Sequence, residues 1–325
     1  MEIFKFEDSF KVMTFGGVCH AWHRAVNDRE LWLHYVSTQF PDEPDLIVAS
    51  NKEMRDNYVN AVLRSRTLVN VDWGASMVEE FDLMEHHMSR RRMDSKYPYA
   101  CPSWCRLGKK AVLICGGFTL SKPTEPSADL TVLLSLQDCS FTPRADMLKG
   151  RYRHALIPYG RFIYCFGGRT VDGDRSCEKY NRLADTWQAL PSMRECRYSI
   201  TPAVFQSKVY LIGSGKGVDV LHLYTETFTY LEVLPNLEWG CSAISSRDCI
   251  YVLARDEVLS WDGKSSQMEH RARVEPGIWF SPAPVCKLED TVLLITEFGV
   301  KQFDPALLQV TDLPAALWHH RASVS

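Results

Sequence analysis

A short apolar strand signal recurs along most of the chain at nearly constant spacing, and this repeat constrains the fold more than any other feature. The copies are LVNV (68–71), VLIC (112–115), FIYC (162–165), VYLI (209–212), IYVL (250–253) and VLLI (292–295). The residue at or near the end of each copy marks a register: 72, 116, 167, 213, 254 and 296, with intervals of 44, 51, 46, 41 and 42 residues. Three copies run into glycine, at Gly116-Gly117, Gly167-Gly168 and Gly213-Ser214. Glycine there permits a positive φ and a close approach of backbones where a strand breaks off.

A second feature keeps step with the first. An aromatic residue is followed by Asp or Asn at Phe81-Asp82, Tyr180-Asn181, Trp261-Asp262 and Phe303-Asp304. Tyr180, Tyr224 and Phe303 each lie ten residues before the leucine of a Leu-Pro pair, at 190–191, 234–235 and 313–314. Such a run predicts a strand, a polar turn and a second strand ended by proline. Six units of this kind predict a mainly β chain folded as a six-bladed β-propeller.

The stretch FIYCFGGRTVDGDRSCEKYNRLADTWQALPSM (162–193) resembles a kelch repeat: strand, double glycine, Tyr180 and Trp187 with six residues between them, then Pro191. The unit beginning at 112 keeps the glycines without the Tyr and Trp, and the units at 209, 250 and 292 are degenerate. The unit at 68 is recognisable by spacing alone. Trp261-Asp262 occurs once, so the double-glycine pattern favours kelch over a WD repeat. The resemblance implies four-stranded blades around a central channel. The closing LWHHRASVS (317–325) is similar to GRYRHALIP (150–158), so the carboxyl-terminal strand is expected to close a propeller spanning residues 67–325. An unclosed first blade would leave a strand edge exposed.

Ahead of the repeats the pattern changes. In GGVCHAWHRAVNDRELWLHYV (16–36), Val18, Trp22 and Ala25 share a helical face, and Asn27-Asp28 offers a cap for a following short helix. VCHAWHRAVNDRELW resembles the second half of an F-box, the helical motif that binds the Skp adaptor of SCF-type ubiquitin ligases. IFKFEDSFKVMTFGGVC (3–19) fits the middle of that motif, with Ile3, Phe6, Asp8, Val12 and Phe15 in its register. Residues 1–36 are therefore expected to form an F-box-like helical segment, incomplete because the motif's first, Leu-Pro-bearing helix has no counterpart. The resemblance implies adaptor contacts from Phe6, Val12, Val18, Cys19, Trp22, Leu31 and Trp32. Residues 37–66 are expected to be a linker and a helix. QFPDEPDLI (39–47) is rich in proline and acid, and NKEMRDNYVNAVLRSR (51–66) carries Met54, Tyr58 and Val62 at helical spacing.

Composition removes several function classes. With 37 basic and 40 acidic residues the net charge is −3, too neutral for a dedicated nucleic-acid or membrane-surface binder. Arg90-Arg91-Arg92 is read as decoration of a loop. Eleven cysteines, odd in number and set inside apolar strands, read as buried free thiols in a reducing compartment, cytoplasmic or nuclear. No motif assigns a catalytic, cofactor-binding or metal-binding residue. GSGKG (213–217) has Tyr210 and Gly217 where a phosphate loop needs Gly and Ser or Thr. Cys101 and Cys105 lack a second pair. The adjacent histidines 86–87 and 319–320 would point to opposite faces of a strand.

A binding face is legible instead. Counting sixteen residues back from successive register positions gives 100, 151, 197, 238 and 280, and around those points lie Tyr99, Arg151-Tyr152-Arg153, Arg197-Tyr198, Trp239 and Trp279, while the tail adds His320. Aromatic residues and arginine dominate interface hot spots, and arginine suits carboxylate or phosphate. The expected face is Tyr99, Arg151, Arg153, Arg197, Tyr198, Trp239, Trp279 and His320, reading an acidic or phosphorylated peptide of a substrate protein. Together with the F-box resemblance this implies a non-catalytic substrate receptor that binds a Skp-type adaptor and, through it, a cullin. The alternative is a kelch scaffold or cytoskeletal interaction module with a non-functional F-box remnant.

Overall fold

The computed structural model describes residues 67–72, 76–82, 87–93, 98–107, 111–119, 128–170, 175–198, 200–213, 215–233, 241–245, 249–254, 257–273, 285–288, 291–296, 299–304 and 309–312. The expected F-box-like segment, the linker and helix of residues 37–66, and the closing strand all lie outside these residues. Among the described residues the chain is all strand and turn.

Strands β1 (Thr67–Asp72), β2 (Met77–Asp82) and β3 (His87–Arg92) form a three-stranded sheet. The next sheet holds β4 (Ser103–Leu107), β5 (Ala111–Cys115), β6 (Thr131–Ser135) and β7 (Phe141–Pro143). It is followed by β8 (Ala155–Tyr159), β9 (Phe162–Phe166), β10 (Cys177–Asn181) and β11 (Thr186–Leu190). Then come β12 (Thr201–Phe205), β13 (Lys208–Ile212), β14 (Gly217–His222) and β15 (Thr227–Glu232). The fifth sheet holds β16 (Ser242–Ser245), β17 (Ile250–Ala254), β18 (Glu257–Trp261) and β19 (Glu269–Arg273). The last holds β20 (Val285–Leu288), β21 (Thr291–Thr296), β22 (Gly299–Asp304) and β23 (Gln309–Asp312). Each sheet is an antiparallel meander in chain order, and the first strands β4, β8, β12, β16 and β20 contact one another in succession. The first strands are thus innermost, as in a propeller.

The apolar runs read from the sequence are the second strands, and their composition follows from being covered on both faces. Successive side chains of a strand point to opposite faces. On β9, Ile163 and Cys165 pack toward the preceding sheet with Leu113, Cys115 and Met147. Tyr164 and Phe166 face the following one with Val209, Leu211 and Leu221. On β13, Val209 and Leu211 turn back while Tyr210 and Ile212 join Val252, Leu259 and Trp261. On β5, Val112 and Ile114 meet Val69, Val71 and Val78 of the first sheet. Two buried faces demand a continuous apolar run, and a polar alternation would put a polar group into one of the seams.

The four sheets from β4 to β19 are complete four-stranded blades joined by apolar seams, so the architecture is a mainly β, kelch-type propeller. Among the described residues the first sheet has three strands, and its β1, which holds the LVNV signal, corresponds to the second strand of the other sheets.

The aromatic–Asp/Asn signature is a hairpin device. Tyr180 stands opposite Trp187 across β10 and β11, with ring centroids 5.2 Å apart. Asn181 Oδ1 then accepts the amides of Leu183 (3.0 Å) and Ala184 (3.2 Å), which makes the turn. Asp262 does the same for Lys264 and Ser265, each at 2.8 Å. Two expectations need correction. Tyr224 is not the partner of Tyr180 in its unit: it is 84% exposed at the tip of the β14–β15 turn. Arg90-Arg91-Arg92 is not in a loop but in β3, where Arg91 Nη2 meets Glu80 at 2.6 Å and Nη1 donates to the Gln137 carbonyl at 3.1 Å. A strand at the outer side of a sheet accommodates charge, so the basic run does not forbid strand structure.

Candidate functional site: the rim at the glycine turns

The glycine turns and the segments leading into the first strands lie at the same end of the propeller. There the sixteen-residue spacing has a covalent logic. The Arg151 guanidinium, fully buried, reaches the Gly167 carbonyl through Nη1 at 2.7 Å and the Glu178 carboxylate through Nη2 at 2.5 Å. It also bonds Ser176 at its carbonyl (3.1 Å) and hydroxyl (2.9 Å). Arg197 repeats this one blade later. Its Nη1 donates to the Gly213 carbonyl at 2.9 Å, Nη2 to the Gly217 carbonyl at 2.7 Å, and Nε to Asp219 Oδ2 at 2.7 Å. In both blades the arginine grips the carbonyl sixteen residues on, and the acid sits near the start of the third strand.

The main chain of each arginine ties neighbouring blades together. The Arg151 carbonyl accepts the Gly117 amide at 2.9 Å, and the Arg197 carbonyl accepts the Gly168 amide at 2.8 Å. The approach leaves no space for a side chain: a Cβ on Gly116 would overlap the Arg151 carbonyl oxygen, and one on Gly167 the Arg197 carbonyl oxygen. Both glycines also hold positive φ, at 71° and 57°. The double glycine is therefore the seat of the next blade's arginine.

This placement corrects part of the expected face. Arg151 and Arg197 have 0% exposure, and their donors are taken by backbone carbonyls and by Glu178 and Asp219. They are clamps inside the fold and offer nothing to a peptide. Their neighbours do face outward. Arg153 is exposed, at φ 53°, and Tyr152 and Tyr198 are partly buried, whereas Tyr99 packs against the core between the first two sheets. Trp239, Trp279 and His320 lie outside the described residues, as do the seven expected adaptor contacts.

Two residues missed in the sequence complete the surface. Phe118 and Arg169 each follow a glycine pair, and each pairs in antiparallel fashion with its own blade's lead-in, as Ala100↔Phe118 and Tyr152↔Arg169. Tyr152 and Arg169 exchange both backbone bonds, at 3.2 and 2.8 Å. Across blades, the Phe118 and Tyr152 rings lie 4.8 Å apart, and the Arg169 guanidinium lies 4.6 Å over the Tyr198 ring. Hydrogen bonds to Tyr198 and Tyr152 hold Arg169 still more firmly in its charged form. Phe118, Tyr152, Arg169 and Tyr198 thus form a ladder of alternating same-blade bridges and cross-blade ring contacts over three blades. The signal that could have found it is the residue after each glycine pair.

Further exposed cations belong to the same end by chain order: Arg175, Arg194 and Lys216. Arg194 lies 4.3 Å over the Tyr230 ring. Glu195 on this side is already engaged, by Tyr230 Oη at 2.9 Å and the Lys216 amide at 3.1 Å. The rim therefore presents aromatic faces and positive charge. Beneath it, the buried His154 is held well below the usual imidazole range, by burial first and by the Arg151 charge second.

Comparison with known proteins agrees with this architecture. Residues 150–194, covering the Arg151 clamp and the Tyr180–Trp187 hairpin, match the family model of the Kelch motif. Kelch repeat and BTB domain-containing protein 2 of Ectromelia virus (strain Moscow) is 26% identical over 166 residues, 44% of this chain and 29% of that protein. Mouse Kelch-like protein 35 is 25% identical over 154 residues, covering 44% of this chain and 26% of its own length. Kelch domain-containing protein 10 of Xenopus laevis is 27% identical over 132 residues, 34% of this chain and 31% of that protein. The chain thus matches less than a third of the length of each of these relatives. Fold and motif together define a kelch-repeat propeller.

Proposed function

We propose that this chain is a non-catalytic interaction scaffold that serves as the substrate receptor of an SCF-type ubiquitin ligase. Residues 1–36 would hold a Skp-type adaptor, and through it a cullin, while the propeller rim holds a substrate protein through an acidic or phosphorylated segment. The observation that carries the binding half is the ladder of Phe118, Tyr152, Arg169 and Tyr198, flanked by the exposed Arg153. Its rings and guanidinium are fixed before any partner arrives, which lowers the entropic cost of binding. The receptor mechanism is proximity: a bound substrate lysine is brought near a ubiquitin-charged enzyme. The abundance of free thiols, nine among the described cysteines, supports a reducing cytoplasmic or nuclear setting.

We also propose that the six sheets close as a six-bladed ring, with residues 315–325 supplying a first strand to the β1–β3 sheet. Support comes from the three strands that this sheet holds among the described residues, the first of which corresponds to a second strand, and from the likeness of 317–325 to 150–158. Deletion of 315–325 should strip the cooperative melt; an unchanged melt would remove this closure.

Two pull-downs test the function. Skp adaptor should co-purify with the wild type and be lost in Trp22→Ala and Leu31→Ala variants that keep a wild-type melt. An adaptor that never co-purifies would favour the scaffold without a working F-box. Arg153→Ala/Arg169→Ala should release substrate while leaving adaptor bound, and full substrate retention would reject the rim.

A further inference from the structure

His154 sits at the root of the ladder, in the seam between the β4–β7 and β8–β11 sheets. It is 6% exposed, and neither ring nitrogen has a hydrogen-bond partner among the described residues. Its Cε1 is 2.9 Å from where a Cβ of Gly116 would stand, and its Cβ is 2.8 Å from the same point on Gly168. Its carbonyl accepts the Ser103 hydroxyl of β4 at 2.5 Å. The imidazole is therefore wedged between the two glycine pairs whose next residues, Phe118 and Arg169, are rungs of the rim. Tyr152, a third rung, is two residues away in the chain.

We propose that His154 is a proton-operated latch, which loosens this seam and the rim above it when the solution turns acidic. The charged and titratable groups of the elements that pack at this seam offer no place for an added positive charge. From its own lead-in comes the buried Arg151 guanidinium, a like charge. From β10 comes Glu178, whose carboxylate is already bonded to Arg151 and, at 2.8 Å, to the Leu148 amide. The β4–β7 sheet and β9 contribute Cys105, Cys115 and Cys165, buried thiols; burial pushes Cys105 up to about 12 and Cys115 well above the usual thiol range, so both are uncharged. Asp146, exposed, has Oδ1 on the Thr131 amide at 3.2 Å, and Arg169 is turned onto Tyr198. An imidazolium without a partner in such a site is costly, so the ring takes a proton only when the seam opens to water. Opening breaks the bonds that register the rim: Gly117 amide to Arg151 carbonyl, Ser103 to the His154 carbonyl, and the Phe118–Tyr152 contact. The proposal adds regulation to the rim reading, but the latch itself is read without any ligand.

Amide hydrogen exchange of the full chain tests it. With an ordinary imidazole value of about 6.5 in the open seam, moving from about pH 7.5 to about pH 5.5 should raise opening about tenfold. Protection at Gly117, Tyr152 and Arg169, corrected for intrinsic exchange, should fall by that factor in the wild type. In His154→Gln and His154→Met it should not change, and β13 and β14 serve as the internal control. Unchanged protection in the wild type, or an equal fall in either folded variant, overturns the latch. A wild-type measurement stands beside the variants in case neither folds. The His154 Cε1–H resonance should keep its neutral position until the seam begins to exchange, and titration near the ordinary value with the seam still protected also overturns it.

Discussion

Replacing Arg197 by methionine isolates the clamp from the rim. Methionine keeps much of the stem volume, so the packing change is small beside the electrostatic one. Asp219, with 0% exposure, loses the Nε partner at 2.7 Å and, among the described residues, keeps the Arg194 amide at 2.8 Å. Removing one partner of a buried pair leaves an uncompensated charge and costs about 3–5 kcal/mol. The Gly213 and Gly217 carbonyls also lose their donor, which adds about 1 kcal/mol or more each where water cannot replace it. At roughly 2–4 °C per kcal/mol for a domain of this size, the midpoint of melting should drop by on the order of 10 °C or more. The assay is urea denaturation of four proteins: wild type, Arg197→Met, Asp219→Asn and the double variant. Adding Asp219→Asn to Arg197→Met removes the stranded charge, so the double variant should be clearly more stable than the two single losses sum to, with a coupling of about 2 kcal/mol or more. A loss under about 1 kcal/mol in Arg197→Met, or additive losses, would mean that the guanidinium stands in water. The arginine would then return to the binding face, and the reasoning that removed it would be wrong.

Three further outcomes follow from the same geometry. Gly167→Ala should destabilise by about 3 kcal/mol or more, because the methyl group must displace the Arg197 carbonyl at a residue with φ 57°; a loss under about 1 kcal/mol in chemical denaturation would show the blades free to part there. Trp187→Phe should cost about 1–2 kcal/mol, since the indole Nε1 donates to the Ala145 carbonyl at 2.8 Å and ties β11 to the segment between β7 and β8; a neutral result would reduce the Tyr180–Trp187 signature to bulk packing. Stability should also fall on acidification. The folded value of His154 is depressed, so its contribution is complete above the unfolded value of about 6.5 and declines by up to about 1.4 kcal/mol per pH unit below it. Denaturation midpoints at about pH 7 and about pH 5 check the sign, which reverses if the imidazole is charged in the fold.

Much of the propeller was legible because burial on both faces writes itself into a strand. VLIC, FIYC and VYLI read as strands at a spacing that matches the blade length, and in the structure they are second strands covered on both faces. The glycine pairs were legible for the same reason, since their neighbours leave no space for a Cβ. The sixteen-residue count was also real, but its cause was not. It measures the reach of an arginine to the glycine carbonyl of its own blade, and a count cannot tell an inward guanidinium from an outward one. Glu178 and Asp219 carry that information, because each supplies the carboxylate that draws the arginine inside. Tyr224 misled because ten residues to a Leu-Pro pair is a distance along a chain: β11 ends on Leu190, whereas β15 ends two residues before Leu234, which shifts the residue that the count marks into the turn. Arg169 and His154 had no signal of their own: one is set by a backbone pairing, the other by two glycines more than thirty residues apart in the chain.

Arg151 joins the clamp to the latch, and a charge count separates its two roles. With a neutral His154, the site holds the Arg151 cation and the Glu178 carboxylate and sums to zero. A proton on His154 raises the sum to plus one in a closed seam, which is why acid should weaken it. Arg151→Met changes the starting sum to minus one, with Glu178 left stranded at 2% exposure. A proton on His154 then brings the site to zero and relieves the stranded charge. The variant should therefore be less stable than the wild type by about 3–5 kcal/mol near neutrality, yet lose less of its stability on acidification, or gain some. Comparing denaturation midpoints of the two proteins at about pH 7 and about pH 5 measures this crossing of slopes. Parallel lines would mean that the Arg151 charge does not reach His154, and the latch would have to rest on burial alone.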